Sequence, residues 1–136
     1  MGELSAVRVI VVDDNAQWRR LITEQLLEES AQVIDTAADG LEAIQKTRLL
    51  QPDVIIMDLW MPGLNGLDAT REIVRIAPTS KVLFCSNEFA PALAAAAFAA
   101  GASGYVVKSM ASVELLKAVQ AVLRGERFVG SGLGGS

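Results

Sequence analysis

The sequence predicts an α/β domain with one five-stranded parallel sheet and helices on both faces. Three observations carry that prediction. Short apolar runs alternate five times with longer segments whose apolar residues recur at helical spacing. The run Val54-Ile55-Ile56-Met57 shows no polar alternation, as a strand covered on both faces requires. Residues that cap, turn or break a helix stand at the junctions: Asn15, Asp39, Pro52, Pro62-Gly63, Pro78, Pro91 and Gly101.

Each element follows in chain order. Val7 to Val12 is a β-branched strand that stops at Asp13-Asp14-Asn15, and Trp18, Leu21, Ile22 and Leu26 mark a helix starting at Ala16, with Asn15 as its cap. Gln32 to Thr36 is a second, weaker strand. Asp39 caps the next helix, and Glu42 is placed to reach back in a capping box; this helix is expected to run to about Arg48. Pro52 breaks the pattern before the third strand, Val54 to Met57, which ends at Asp58. Turn chemistry at Pro62-Gly63-Leu64-Asn65-Gly66 precedes a third helix, with Leu67, Thr70, Ile73, Val74 and Ala77 facing inward, that ends at Pro78. Lys81 to Cys85 is the fourth strand, and Pro91 to Ala100 the fourth helix, with proline in its first turn and Gly101 as its stop. Gly104 to Lys108 is the fifth strand, and Ser112 is expected to cap the last helix, which ends at Gly125. Residues 1–126 are thus expected to form one domain and 127–136, rich in Gly and Ser, a linker or tail.

Composition excludes much. At 136 residues with 51% hydrophobic and 21% charged residues, the chain suits one self-sufficient core. Twelve basic against sixteen acidic residues, a net charge of -4, leave no general basic surface for nucleic acid or anionic lipid. With no histidine, the chain cannot build a Ser-His-Asp or Cys-His site, a histidine-ligated zinc or a histidine proton shuttle. The single cysteine, Cys85, allows no internal disulfide and is read as core. The N-terminus has no signal-peptide pattern, and the alanine-rich run near Ala92 is too short for a membrane span, so the expected setting is cytoplasmic.

In a parallel sheet of this kind, ligands bind beyond the carboxyl ends of the strands. Strand one ends at Asp13-Asp14, strand three at Asp58, strand four at Ser86 and strand five at Lys108. Nucleotide and flavin binders place glycine or hydroxyl residues in the first loop, where backbone N–H groups hold a phosphate. Two carboxylates repel such a group and suit a hard divalent cation, with Asp58 supplying a third oxygen ligand, as Mg²⁺ prefers. Taken singly, each residue has an ordinary reading: an acidic pair caps a helix, an aspartate forms a turn, a serine or lysine is solvated. Their joint placement on one sheet edge is what those readings leave unexplained.

These residues resemble the receiver domain of two-component response regulators, most closely those of the NarL and LuxR type. The resemblance covers Arg8 to Arg124 and rests on Asp13-Asp14, on Asp58-Leu59-Trp60-Met61-Pro62-Gly63-Leu64-Asn65-Gly66, on Ser86, and on Gly101-Ala102-Ser103-Gly104-Tyr105-Val106-Val107-Lys108. It implies a flavodoxin-like, doubly wound sheet of order 2-1-3-4-5. It implies that Asp58 accepts a phosphoryl group from a sensor histidine kinase, that Asp13, Asp14, Asp58 and the Trp60 backbone carbonyl bind Mg²⁺, and that Lys108 and Ser86 contact the phosphoryl oxygens. Ser86 and Tyr105 would form the switch, the aromatic turning inward on phosphorylation. A receiver is a signalling domain and not a conventional enzyme; it assists only its own phosphorylation and slow dephosphorylation.

Two departures from the family pattern stand out. Ser109 follows Lys108 where many receivers have proline, and bulky Trp60 stands where a smaller or polar residue is common; it is expected either to shield the acyl phosphate from water or simply to pack on the rim. Leu123-Arg124-Gly125-Glu126-Arg127-Phe128 looks like the receiver end of regulators that continue into a helix-turn-helix domain. Transcription control, and DNA contact, are expected only through such a further C-terminal domain; a homodimer on phosphorylation is a further expectation, and a membrane partner is not. Two alternatives stay open: a stand-alone receiver acting as a protein-interaction module, and a Mg²⁺-dependent phosphohydrolase. The second is disfavoured because Asp58-Leu59-Trp60 lacks the second acid of an Asp-x-Asp nucleophile motif.

Overall fold

The computed structural model describes residues 2–88 and 90–131. Strands β1 (Arg8–Val12), β2 (Gln32–Ala37), β3 (Val54–Met57), β4 (Lys81–Ser86) and β5 (Gly104–Val107) alternate with helices α1 (Ala16–Glu28), α2 (Gly40–Leu50), α3 (Gly66–Ile76), α4 (Pro91–Ala99) and α5 (Ala111–Leu123). A sixth strand, β6 (Phe128–Val129), closes the sheet, whose order is β2-β1-β3-β4-β5-β6 with every pair parallel.

Strand alternation divides the core. Ile10, Val12, Ile55, Met57, Val82, Phe84, Tyr105 and Val107 face α2, α3 and α4, where Ala43, Ala69, Ile73, Ala94 and Ala97 meet them. Val9, Val11, Val54, Ile56, Leu83, Cys85 and Val106 face the other way, against Ile22 and Leu26 of α1 and Leu115, Ala118, Val119 and Val122 of α5. Residues i and i+1 of a strand point to opposite faces, so a strand with a helix layer on each side must be apolar throughout.

The strand count is the main correction: six among the described residues, not five. Phe128 N–H donates to Ser103 O at 3.1 Å and Gly130 N–H to Tyr105 O at 2.8 Å, giving the open edge of β5 a partner. Two residues are too few to show a period of two, so this strand leaves no trace in a hydrophobic pattern. It lies inside the stretch expected as linker, of which residues 132–136 are outside the described residues. The start of α5 also differs. A 3₁₀ turn over Lys108–Met110 leads straight into the helix, the Ala111 N–H bonds Lys108 O, and Ser112 sits inside the helix and not at its cap. The turn satisfies a backbone donor that a side-chain cap would otherwise have to meet.

The other caps follow sequence chemistry. Asn15 Oδ1 accepts from Trp18 N, Asp39 Oδ1 from Glu42 N and Asn65 Oδ1 from Asp68 N. Glu42 reaches back to Ala38 N at 3.1 Å, one residue before the cap. Helix α2 runs two residues past Arg48, to Leu50, and β2 one past Thr36, to Ala37.

Candidate functional site

Strand order reverses between β1 and β3: the chain first steps from β1 to β2, then crosses back to β3 on the other side of β1. The two connections leave in opposite directions and open a crevice at the carboxyl ends of these strands. Asp13 and Asp14 follow β1 and Asp58 follows β3, so all three acids stand at this crevice. One carboxylate oxygen from each lies within 4.8 Å of the others, close enough to share one metal ion. Asp13 is 2% exposed and Asp58 8%, whereas Asp14 faces solvent.

Local bonds fix the acids. Asp13 Oδ1 accepts the Asn15 N–H at 2.8 Å, and its backbone carbonyl accepts from Arg19 Nη1 at 2.6 Å. The first turn of α1 is thereby tied to the acidic loop. Asp58 Oδ1 accepts the Leu59 N–H at 2.9 Å. Gly66 N–H donates to Leu59 O at 2.9 Å, and a Cβ at Gly66 would meet the Asp58 carbonyl oxygen at 2.3 Å. Only glycine lets the start of α3 approach the Asp58 backbone this closely.

Lys108 Nζ, from the end of β5, lies 2.6 Å from Asp13 Oδ2 and 3.8 Å from Asp58 Oδ1. Its side chain is 11% exposed. Burial, and next the negative charge of Asp13, push the Asp58 carboxyl up to about 6; Lys108 and the Leu59 N–H act against that shift. Three acids facing one lysine leave an excess of negative charge that a divalent cation would neutralise.

Ser86 ends β4, buried, and its Oγ accepts the Glu88 N–H at 3.2 Å. Tyr105 is fully buried, stacked on Phe84 with ring centroids 6.1 Å apart, and its hydroxyl donates to Glu88 O at 3.4 Å. Burial pushes the Tyr105 phenol up, and the Ser86 side chain beside it works the other way. The loop after β4 therefore touches both residues expected to form a switch. Trp60 is 52% exposed at the rim. Cys85 is buried, and its thiol is pushed up to about 12, as an inert core residue requires. Trp18 and Arg19 are the contributors that sequence reasoning missed. Trp18 was visible only as one apolar position on α1, and nothing in the pattern indicates that its ring lies over Lys108.

A family model described as response regulator receiver domain matches residues 9–120. The chain belongs to the response regulator receiver domain family. The receiver is 38% identical over 127 residues to the response regulator GacA of Pseudomonas viridiflava, covering 90% of this chain and 58% of that protein. It therefore spans little more than half the length of that relative. Chemotaxis protein CheY of Thermotoga maritima is 35% identical over 115 residues, covering 85% of this receiver and 96% of CheY. Among solved structures, a LuxR-family two-component response regulator from Aurantimonas sp. SI85-9A1 superposes with a TM-score of 0.87 at 36% identity, covering 95% of this chain and 93% of that one. Receivers are signalling domains, and transcription regulators are among the relatives of this one. Among the described residues, no helix is long and apolar enough to cross a membrane.

Proposed function

We propose that this receiver is a phospho-accepting switch in which Asp58 takes a phosphoryl group from a histidine kinase. The observation that carries the reading is the convergence of Asp13, Asp14 and Asp58 within 4.8 Å, with Lys108 against two of them. An all-oxygen, hard donor set of this charge fits Mg²⁺, and Asp13, Asp14, Asp58 and the Trp60 carbonyl would hold it. When bound, the ion supplies positive charge that offsets repulsion between a carboxylate nucleophile and a phosphoryl group.

The chain's own groups supply position and counter-charge. An Asp58 carboxylate oxygen attacks phosphorus as the P–N bond of the donor phosphohistidine breaks, and the bonding electron pair returns to the donor imidazole. The donor phosphohistidine lies outside these 136 residues, which hold no histidine. Lys108 donates to the incoming phosphoryl oxygens, and the Ser86 hydroxyl turns from Glu88 toward them. That turn unlocks the loop bonded to Tyr105 and so carries the signal to the face of α4, β5 and α5. By similarity to the transcription regulators, the output is transcription through a C-terminal DNA-binding domain, with phosphorylation favouring a homodimer in the cytoplasm.

Incubation with acetyl phosphate and Mg²⁺, followed by intact-mass measurement, tests this reading. A slowly decaying single adduct, absent in Asp58→Asn, is the expected result. No adduct would favour an interaction module, and repeated turnover of phosphate esters a hydrolase.

A further inference from the structure

Lys108 has a second neighbour besides the acids. Its ammonium lies 5.1 Å from the centroid of the Trp18 ring, within the range of a cation–π contact. Trp18 stands in the first turn of α1. Its backbone N–H is held by Asn15 Oδ1 at 2.9 Å, and Arg19 beside it bonds the Asp13 carbonyl at 2.6 Å. The backbone that carries the ring is therefore tied to the loop that carries the acids.

A hollow of about 310 Å³ is lined by Asn15, Gln17, Trp18, Leu21, Asn87 and Lys108. Lysine has a four-carbon stem with many rotamers, so an ammonium released by Asp13 can swing into this space and hydrate. In the proposed reaction Lys108 must leave Asp13 for the phosphoryl oxygens. A directional hydrogen bond cannot hold it through that exchange. An aromatic face can, because its attraction falls off gradually as the cation slides across it.

We propose that Trp18 is a positioning residue for Lys108, its indole face confining the ammonium to the phosphoryl side of the site while Asp13 releases it. This rests on Asp58 being the phosphoacceptor.

Two measurements test it together. Rates of adduct formation with acetyl phosphate and Mg²⁺ are compared for Trp18→Leu and Trp18→Phe, each with Lys108 present and with Lys108→Gln. Trp18→Leu is expected to label about tenfold more slowly and Trp18→Phe within about threefold of the parent, from the ordinary strength of a partly buried cation–π contact. In the Lys108→Gln background the Trp18→Leu effect should vanish. Equal slowing in both backgrounds, or labelling by Trp18→Leu at the parent rate, overturns the proposal. Independently, NMR of the parent protein should place the Lys108 ε-methylene protons upfield under the indole ring current; ordinary shifts there overturn it even if Trp18→Leu does not fold. A parent chain that takes no phosphoryl group defeats the phosphoacceptor reading itself, and with it the role of Trp18. A labelled parent with an indifferent Trp18→Leu defeats only the latter.

Discussion

Lys108 Nζ stands 2.6 Å from Asp13 Oδ2 but 3.8 Å from Asp58 Oδ1, so its nearer partner is the buried acid after β1 and not the proposed nucleophile. The lysine occupies part of the charge role that a divalent cation would fill. Removing it leaves two buried carboxylates without their cation, a cost of about 3 kcal/mol. Lys108→Gln is expected to unfold at lower urea in EDTA and to recover most of that loss in millimolar Mg²⁺. Equal midpoints with and without the ion would contradict the shared-charge account.

Asp58 makes stability depend on pH in a defined direction. Its carboxyl is raised from 3.8 to about 6, chiefly by burial. A raised carboxyl binds its proton more tightly in the folded chain, so its contribution favours folding fully below about pH 4 and is lost as pH rises through about 6. At pH 7 the ionised group costs about 2–3 kcal/mol without metal. Asp58→Asn should therefore raise the urea midpoint at pH 7 in EDTA, with the gain shrinking toward pH 4. A gain independent of pH would refute this assignment.

Gly66 sets the distance between α3 and the Asp58 backbone. A methyl group there meets the Asp58 carbonyl at 2.3 Å and Phe84 Cε1 at 2.8 Å. Backbone cannot yield as a flexible side chain does, so Gly66→Ala is expected to cost about 2–3 kcal/mol and to weaken Mg²⁺ binding. Denaturant titration and isothermal calorimetry read the two effects. An unchanged midpoint would show that α3 can retreat freely.

Trp60 stands two residues after the proposed phosphoacceptor Asp58 and is half exposed. If Trp60 partly covers the acyl phosphate proposed at Asp58, it would slow attack by water, and Trp60→Ala should lose its phosphoryl group roughly threefold faster. Decay of the adduct followed by mass measures this. Equal decay would leave Trp60 as rim packing.

The edge strand β6 is held from two sides. Gly130 N–H bonds Tyr105 O at 2.8 Å, and the Ser131 N–H and hydroxyl donate to the buried Glu114 carboxylate. Glu114→Ala removes the second hold, so the Gly130 amide should exchange hydrogen at least tenfold faster while the β3 amides keep their protection. Unchanged exchange at Gly130 would show that strand pairing alone secures the segment.

Much of the architecture was legible because each of its causes is local. Continuous apolar runs such as Val54 to Met57 state that both faces are covered, and Asn15 and Asp39 announce their helices through side-chain oxygens placed for orphan N–H groups. The acids and Lys108 were legible as strand-end residues, because a parallel sheet puts every strand's carboxyl end on one edge. The sixth strand and the start of α5 were not. Each depends on a backbone group elsewhere, the open edge of β5 for Phe128–Val129 and the Lys108 carbonyl for Ala111.

By itself, the order of residues determined the layer architecture, the edge on which chemistry collects, and the exclusion of histidine chemistry. Only the folded arrangement decided which acid Lys108 prefers, that Trp18 lies against its ammonium, that Tyr105 is fully enclosed beneath Glu88, and that Gly130 reaches β5. The physical reason is range. Propensity, capping and periodicity act within a turn or a strand, whereas ion pairs, ring contacts and edge pairing join residues tens of positions apart.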